Sequence, residues 1–134
     1  MQPEAKFYKE LKKNIPSIIW NRVENLSLLG MPDLLGYNKK QCFFTVELKV
    51  VKGNKIKFSP HQIAWHKTHP QNTFIMAKAL GPCSSKTSSI SLFHGSSIMA
   101  LARYGMKVDA CACGFPACAS MFDEVGLTLE NFGA

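Results

Sequence analysis

The chain has 134 residues, of which 46% are hydrophobic, so residues 1–134 suffice for one compact domain and are too few for two ordinary ones. It has no apolar run of about eighteen residues, and its Lys-rich start lacks an apolar stretch, so we expect no membrane span and no signal peptide but a soluble, cytoplasmic protein. The formal charge is +7, because residues 1–67 hold 12 Lys and Arg against 5 Asp and Glu, whereas residues 68–134 hold 4 against 4. This one-sided excess fits a surface that binds a phosphate backbone, although a solvated, solubilising face has the same composition.

An amphipathic helix is the first predicted element, because Phe7 and Leu11 share one face and the lysines share the other. Pro16 ends this helix, and an extended stretch follows at 18–20. The further predicted elements are strands at 33–37, 42–51 and 55–58, a helix at 60–69, strands at 73–80 and 89–94, and a helix at 96–104. This order predicts a single α/β domain with a mixed central β-sheet flanked by α-helices.

The strands at 33–37 and 42–51 are joined by a polar turn, which predicts an antiparallel hairpin. Within the second strand, Glu47 and Lys49 alternate with apolar residues and therefore share one face. With a turn centred near residues 38–40, Asp33 is expected opposite residue 45 or 46, with Glu47 as its near-diagonal neighbour.

Two neighbouring carboxylates repel each other unless a cation lies between them, so Asp33 and Glu47 together predict a Mg²⁺ site. Such an ion binds a scissile phosphate and makes a bound water more acidic. Lys49 would orient or deprotonate that water, or neutralise charge on the phosphoryl oxygens. Taken alone, the triplet 47–49 is also compatible with an exposed strand face beside an unrelated turn aspartate.

Three short motifs occur in a specific order: Gly30-Met-Pro-Asp33 before the hairpin, Val46-Glu-Leu-Lys49 in its second strand, and Ser59-Pro-His-Gln62 after it. This pattern resembles the virus-type replication-repair nuclease domains, a branch of the PD-(D/E)XK superfamily close to archaeal-type Holliday junction resolvases. The resemblance covers roughly residues 4–78, and small stand-alone versions are typical of phages, which would act in the host cytoplasm. It implies a restriction-endonuclease-like fold.

The resemblance also implies roles for individual residues. Asp33 and Glu47 would bind Mg²⁺ or Mn²⁺ together with the backbone carbonyl of Leu48, and Lys49 would be the catalytic lysine. Gln62 falls where the family has a glutamine that faces the active site, although Ser59 and Gln62 also have the spacing of a capping box.

Members of the family commonly carry a glutamate in the first helix, and three residues of this chain are candidates. Glu4 lies on the same face as Phe7 and is the preferred one, although a first-turn glutamate also stabilises a helix dipole. Glu10 is turned away from that face, and Glu24 is a rival in the segment before Gly30.

Several basic residues are candidates for DNA contacts, with solvated surface lysines as the alternative. They are Lys52, Lys55, Lys57, His66 and Lys67. We interpret His61 and His69 as exposed helix histidines rather than metal ligands. Trp65 has the spacing of a core residue and is not proposed to stack on bases.

The chain has five cysteines and no secretory signal, which indicates reduced thiols. The resemblance does not extend to the tail 109–134, which contains Cys111, Cys113 and Cys118. A closed zinc site would need Cys83 or a second subunit as well. We expect small buried cysteines in a tight turn instead.

The leading functional prediction is a metal-dependent, structure-selective DNA endonuclease that acts on branched or double-stranded DNA. Resolution of four-way junctions by a homodimer is preferred, because a symmetric pair of cuts calls for two related sites. The alternatives are a flap or nicking nuclease of the same superfamily, or a non-catalytic basic module that binds nucleic acid. A phage structural or host-interaction protein would leave Asp33, Glu47 and Lys49 unexplained.

Overall fold

A six-stranded mixed sheet organises the part of the chain that the computed structural model describes, residues 3–23, 30–81 and 88–126. The elements are α1 (Pro3–Asn14), β1 (Ile19–Arg22), β2 (Leu34–Tyr37), β3 (Phe43–Lys52), α2 (Pro60–Thr68), β4 (Thr73–Leu80), β5 (Ile90–His94), α3 (Ile98–Tyr104), β6 (Ala112–Cys113) and α4 (Phe115–Glu124). The strands lie in chain order, and all neighbours are antiparallel except β3 and β4, which are parallel and joined by α2. The fold is α/β with a mixed sheet, as predicted.

Helices cover both faces of this sheet, because strand side chains alternate between two apolar layers. The layer beneath α1 and α4 includes Phe7, Leu11, Phe44, Val46, Phe74 and Phe122. The layer beneath α3 includes Val51, Ile56, Ile75, Phe93, Ile98 and Leu101. In the described residues, no helix combines the length and apolar character needed to cross a membrane.

The structure departs from the predicted elements in two places. The strand predicted at 55–58 is wrong, since this segment has no regular structure; Ile56 is buried while Lys55 and Lys57 are exposed, so alternation here reflects one anchoring side chain. The second departure is the pair β6 and α4, which were not predicted. Pro116 in the first turn of α4 was the available signal for that helix.

The hairpin of β2 and β3 has a different register from the predicted one. Its ladder pairs Leu34 with Val46, so Asp33 is in line with Glu47 and not opposite residue 45 or 46. The reason lies in the loop: Asn38 N donates to Cys42 O at 3.1 Å, and Gln41 adopts a φ of 63°, which closes a three-residue loop.

Asn38 joins this hairpin to the end of α4. Its side chain is 3% exposed, and its Nδ2 donates to the carbonyls of Phe122 and Val125, both at 2.9 Å. Its Oδ1 accepts from the amides of Lys40 and Cys42 at 3.0 and 3.1 Å. One buried amide thus stabilises both the loop that sets the register and the packing of the last helix.

We expect Asn38→Ala to lower the free energy of unfolding by about 1–3 kcal/mol, because two carbonyls would lose their donors in a buried place. Urea unfolding followed by circular dichroism measures this change. Lys39→Ala, in the same loop but exposed, is the matched control and should stay within about 0.5 kcal/mol of the wild type. Equal stability of all three proteins would contradict the role given to Asn38.

Candidate active site

Asp33 and Glu47 meet where β2 begins opposite β3. Asp33 precedes β2 by one residue, and its Oδ2 accepts a hydrogen bond from the backbone amide of Leu48 at 2.9 Å. Glu47 projects from β3 beside it, at the position in line with Asp33. The structure therefore brings together the two carboxyl groups that the hairpin pattern paired. It places Asp33 in register with Glu47, whereas a diagonal neighbour was predicted.

The Glu47 carboxyl group is in an unfavourable place for a charge. Its side chain is only 3% exposed, and within the described residues its Oε1 has no hydrogen-bond donor. The pKa of Glu47 is raised to about 9, chiefly by burial and in addition by the charge of Asp33 and a hydrogen bond between the two carboxyl groups, while Lys49 opposes this. At neutral pH, without a cation, Glu47 keeps its proton.

Gln62 connects this carboxyl group with the start of α2. Its Nε2 donates to Glu47 Oε2 at 3.3 Å, while its Oε1 accepts from the backbone amide of Ser59 at 3.0 Å. The Ser59 hydroxyl accepts from Gln62 N at 3.1 Å, which completes the capping box. One side chain therefore both completes the cap of α2 and contacts the Glu47 carboxyl group.

Lys49 is held by neutral acceptors. Its Nζ donates to the carbonyl of Lys57 at 2.7 Å and to Gln62 Oε1 at 3.0 Å, and it lies 4.9 Å from the centre of the Phe58 ring. A lysine ammonium has three donors, so these two bonds orient it and leave one for another acceptor. The lysine is therefore fixed on the same face as Glu47.

The close approach of Gly30 to α2 positions the Gly-x-Pro-Asp segment. Gly30 has a φ of 84°, and a Cβ on it would come within 2.2 Å of the carbonyl oxygen of His61. Only glycine tolerates both conditions. The first and third motifs thus touch each other, and Asp33 and Gln62 both lie next to Glu47.

The residues present fit a hard divalent cation. A buried carboxylate oxygen without a donor and a second carboxylate beside it provide oxygen ligands, and a cation between them would relieve their repulsion. The Leu48 amide faces Asp33, and the carbonyl of a strand residue faces the same side as its amide, so the Leu48 carbonyl is a further candidate ligand.

Within residues 3–23, 30–81 and 88–126, no group of three or more His, Cys, Asp or Glu side chains is close enough to hold a metal ion. A cation at this site would therefore depend on two carboxylates, backbone oxygen and water. Mg²⁺ is commonly bound in this way.

Of the first-helix glutamates, Glu4 is electrostatically connected to the site, since its charge contributes to the raised pKa of Glu47. Glu10 forms an ion pair with Lys78 of β4 and is engaged there. Glu24 lies outside the described residues. The geometry thus favours Glu4 over Glu10, although Glu4 itself is exposed.

The five candidate DNA-contact residues divide by exposure. The four lysines are exposed and available for contacts: Lys52, Lys55, Lys57 and Lys67. His66 is fully buried, at 0% exposure, so the prediction that it touches phosphate is wrong. The pKa of His66 is lowered to about 4, chiefly by burial and further by the neighbouring His69 and Lys49, so His66 is a neutral core residue.

Trp65 is half-buried and was expected in the core. Its ring stacks on His69 with centroids 3.9 Å apart and an interplanar angle of 7°, and both rings border an open groove. His61 and His69 are exposed, as interpreted from the sequence. The spacing of Trp65 and His69, four residues apart on a helix, was a signal that they share a face.

The cysteines of the tail are free thiols. Cys118 is buried in α4, while Cys111 and Cys113 are half-buried, next to and within β6, so the tight turn expected there is a short strand and a helix. Burial raises the pKa of Cys118 to about 12 and also raises that of Cys111. Cys83 lies outside the described residues.

The pKa of Glu47 predicts a pH dependence of stability. In the unfolded chain Glu47 ionises near its ordinary pKa of 4.5, while in the metal-free folded protein it stays protonated up to about 9, so stability falls as pH rises through this window. Glu47→Gln should remove this slope and raise the thermal midpoint at pH 8, in EDTA, by a few degrees. Glu10→Gln is the matched control and should keep the wild-type slope. A slope that survives in Glu47→Gln would contradict the assignment.

Comparison of the chain with family models, with curated proteins and with solved structures gives no match. Membership of the PD-(D/E)XK superfamily therefore stays a prediction. It rests on the motifs at 30–33, 46–49 and 59–62, and the structure adds the contacts that these motifs make with one another.

Proposed function

We propose that this protein is a metal-dependent endonuclease that hydrolyses phosphodiester bonds in DNA. One observation carries the proposal: the Glu47 carboxyl group is buried beside Asp33 with an oxygen that finds no donor in the described structure. Such an arrangement costs stability in a protein without a cation. A catalytic use of both carboxylates accounts for that cost.

The chemistry divides between the residues and the cation. Mg²⁺ or Mn²⁺, when bound, would polarise the phosphate and lower the pKa of a coordinated water. Asp33, Glu47 and the Leu48 carbonyl would hold it. Lys49, with two of its donors engaged by Lys57 and Gln62, would direct the third towards the attacking water or a phosphoryl oxygen.

The charge around the site suits DNA. Among the exposed lysines, Lys52 is the last residue of β3, the strand that carries Glu47 and Lys49. Lys55 and Lys57 come after this strand, and Lys67 lies on α2. Contacts of this kind position a backbone without reading its sequence. We therefore propose a structure-selective enzyme. The preferred version is a homodimer that resolves four-way junctions in the cytoplasm, and the alternative is a flap or nicking nuclease.

Cleavage assays test the proposal. The full chain is incubated with labelled four-way junction, flap, nicked and linear duplex DNA in Mg²⁺, Mn²⁺ or EDTA. We expect metal-dependent cleavage, and a fall of at least about 100-fold in rate for Asp33→Asn and for Lys49→Ala, because both groups act on the reacting atoms. Symmetric cuts in the junction would support a resolvase, whereas cuts in flaps would support the alternative.

Lys107→Ala, an exposed lysine outside the motifs, is the matched control for Lys49→Ala and should cleave like the wild type. DNA binding without cleavage under any metal, unaltered by the Asp33 and Lys49 substitutions, would overturn the proposal and leave a binding module.

The double role of Gln62 gives a second test. Gln62→Ala and Ser59→Ala each remove part of the capping box and should each destabilise the protein by about 1 kcal/mol. Only Gln62→Ala also frees Glu47 and Lys49, so it alone should lower the cleavage rate, by about 10-fold or more. Equal cleavage rates for the two variants, measured at matched folded fraction, would confine Gln62 to capping.

A further inference from the structure

An open groove of about 430 Å³ lies on the same sheet face as the carboxyl groups. Its lining includes Phe43 and Thr45 of β3, Leu35 of β2, and Trp65 and His69 at the end of α2. Phe43, Thr45 and Glu47 point to the same face of β3, so two residues of the groove wall and one of the candidate site follow one another along that strand.

The walls of the groove present aromatic rings. Phe43 is 56% exposed, and its ring centroid lies 4.5 Å from that of Tyr37. On the other side Trp65 is stacked on His69, which holds both rings in one orientation. Rigid rings with exposed surface favour a flat aromatic ligand, and the groove volume is within the range of about 300–1,000 Å³ that is usual for small-molecule sites.

The charge near the groove favours a flat ligand that is part of an anionic strand, such as a base of DNA. None of the described residues that line the groove is acidic. The hairpin loop next to Phe43 carries the exposed Lys39 and Lys40. Proteins commonly bind single strands with aromatic rings beside lysines, since bases stack on the rings while the lysines contact phosphates.

The distance along β3 sets the position of the base. Phe43 and Glu47 are four residues apart, which is about 13 Å in a strand. A stacked strand advances about 3.4 Å per nucleotide. A base in the groove would therefore lie within a few nucleotides of a phosphate at Asp33 and Glu47.

We propose that this groove is a stacking subsite for an unpaired nucleobase, so that a base beside the phosphodiester that is cleaved is taken out of the DNA stack and held on the rings. The position of that phosphodiester rests on the proposed function. The stacking itself does not, because it requires neither metal nor cleavage.

The test compares binding of a thymidine oligonucleotide with binding of an abasic oligonucleotide of the same length. Affinities for the full chain are measured by fluorescence anisotropy in EDTA at a fixed, low salt concentration. We expect the thymidine strand to bind more tightly by about 5- to 150-fold, because stacking contributes about 1–3 kcal/mol per base. Phe43→Ala should remove most of this preference and leave the affinity for the abasic strand unchanged.

Met99→Ala is the matched control, since Met99 lies on α3 and is also 56% exposed. It should keep the wild-type preference for the thymidine strand. Equal affinities for the two strands, or a preference that survives in Phe43→Ala, would overturn the subsite.

A second copy of the chain is the competing occupant of the groove. A wild-type dimer that becomes a monomer in Phe43→Ala, measured by sedimentation equilibrium, would overturn the subsite in favour of a protein interface. A base preference lost in Phe43→Ala, together with no cleavage under any metal, would support the subsite and overturn the proposed function instead.

Discussion

The burial of one carboxyl group next to another is the constraint to which the rest of this structure is adjusted. Glu47 lies in the central part of β3, between the neighbours that form the sheet, and cannot turn to water. A buried carboxyl group that is short of hydrogen-bond donors costs stability, and ionising it there without a partner costs far more. The protein retains this group and surrounds it with one acid, one amide and one ammonium group that hold defined positions.

The start of α2 performs structural and chemical tasks with the same atoms. Gln62 closes the helix end and at the same time contacts Glu47 and Lys49. The carbonyl of His61, in the same turn, is the surface against which Gly30 packs. The helix that connects the two parallel strands therefore also aligns the segment that carries Asp33. The first turn of α2 and the candidate site are therefore held by the same contacts.

The sequence predicted correctly those features that a local rule determines, such as the sheet face to which a strand side chain points or the residue at which a helix begins. Strand alternation placed Glu47 and Lys49 on one face, and the capping motif located the beginning of α2 within one residue. It was less informative about the burial of individual side chains and about the register between strands. The hairpin register depends on the left-handed backbone conformation of Gln41. Glycine is the usual residue in this conformation, so a glutamine gives no sign of it in the sequence.

The errors at His66 and Trp65 have a common origin. Both residues lie on α2, and helical spacing indicates which side chains share a face but not what covers that face. Neighbouring side chains cover His66 completely, whereas the space beside Trp65 is an open groove. The histidine is therefore buried, and the indole borders the groove. The carboxylate pair was predictable because its two members belong to one hairpin. The groove was not, because its walls come from two strands and a helix.

The three-residue hairpin loop has a consequence for how this chain can vary. Its length decides which residue of β2 faces which residue of β3, and a slip of one position turns every side chain of a strand to the opposite sheet face. Substitutions at the exposed Lys39 and Lys40 leave that alignment intact. An insertion or deletion in the same loop would shift Asp33 away from Glu47, so the geometry of the site constrains the length of this loop.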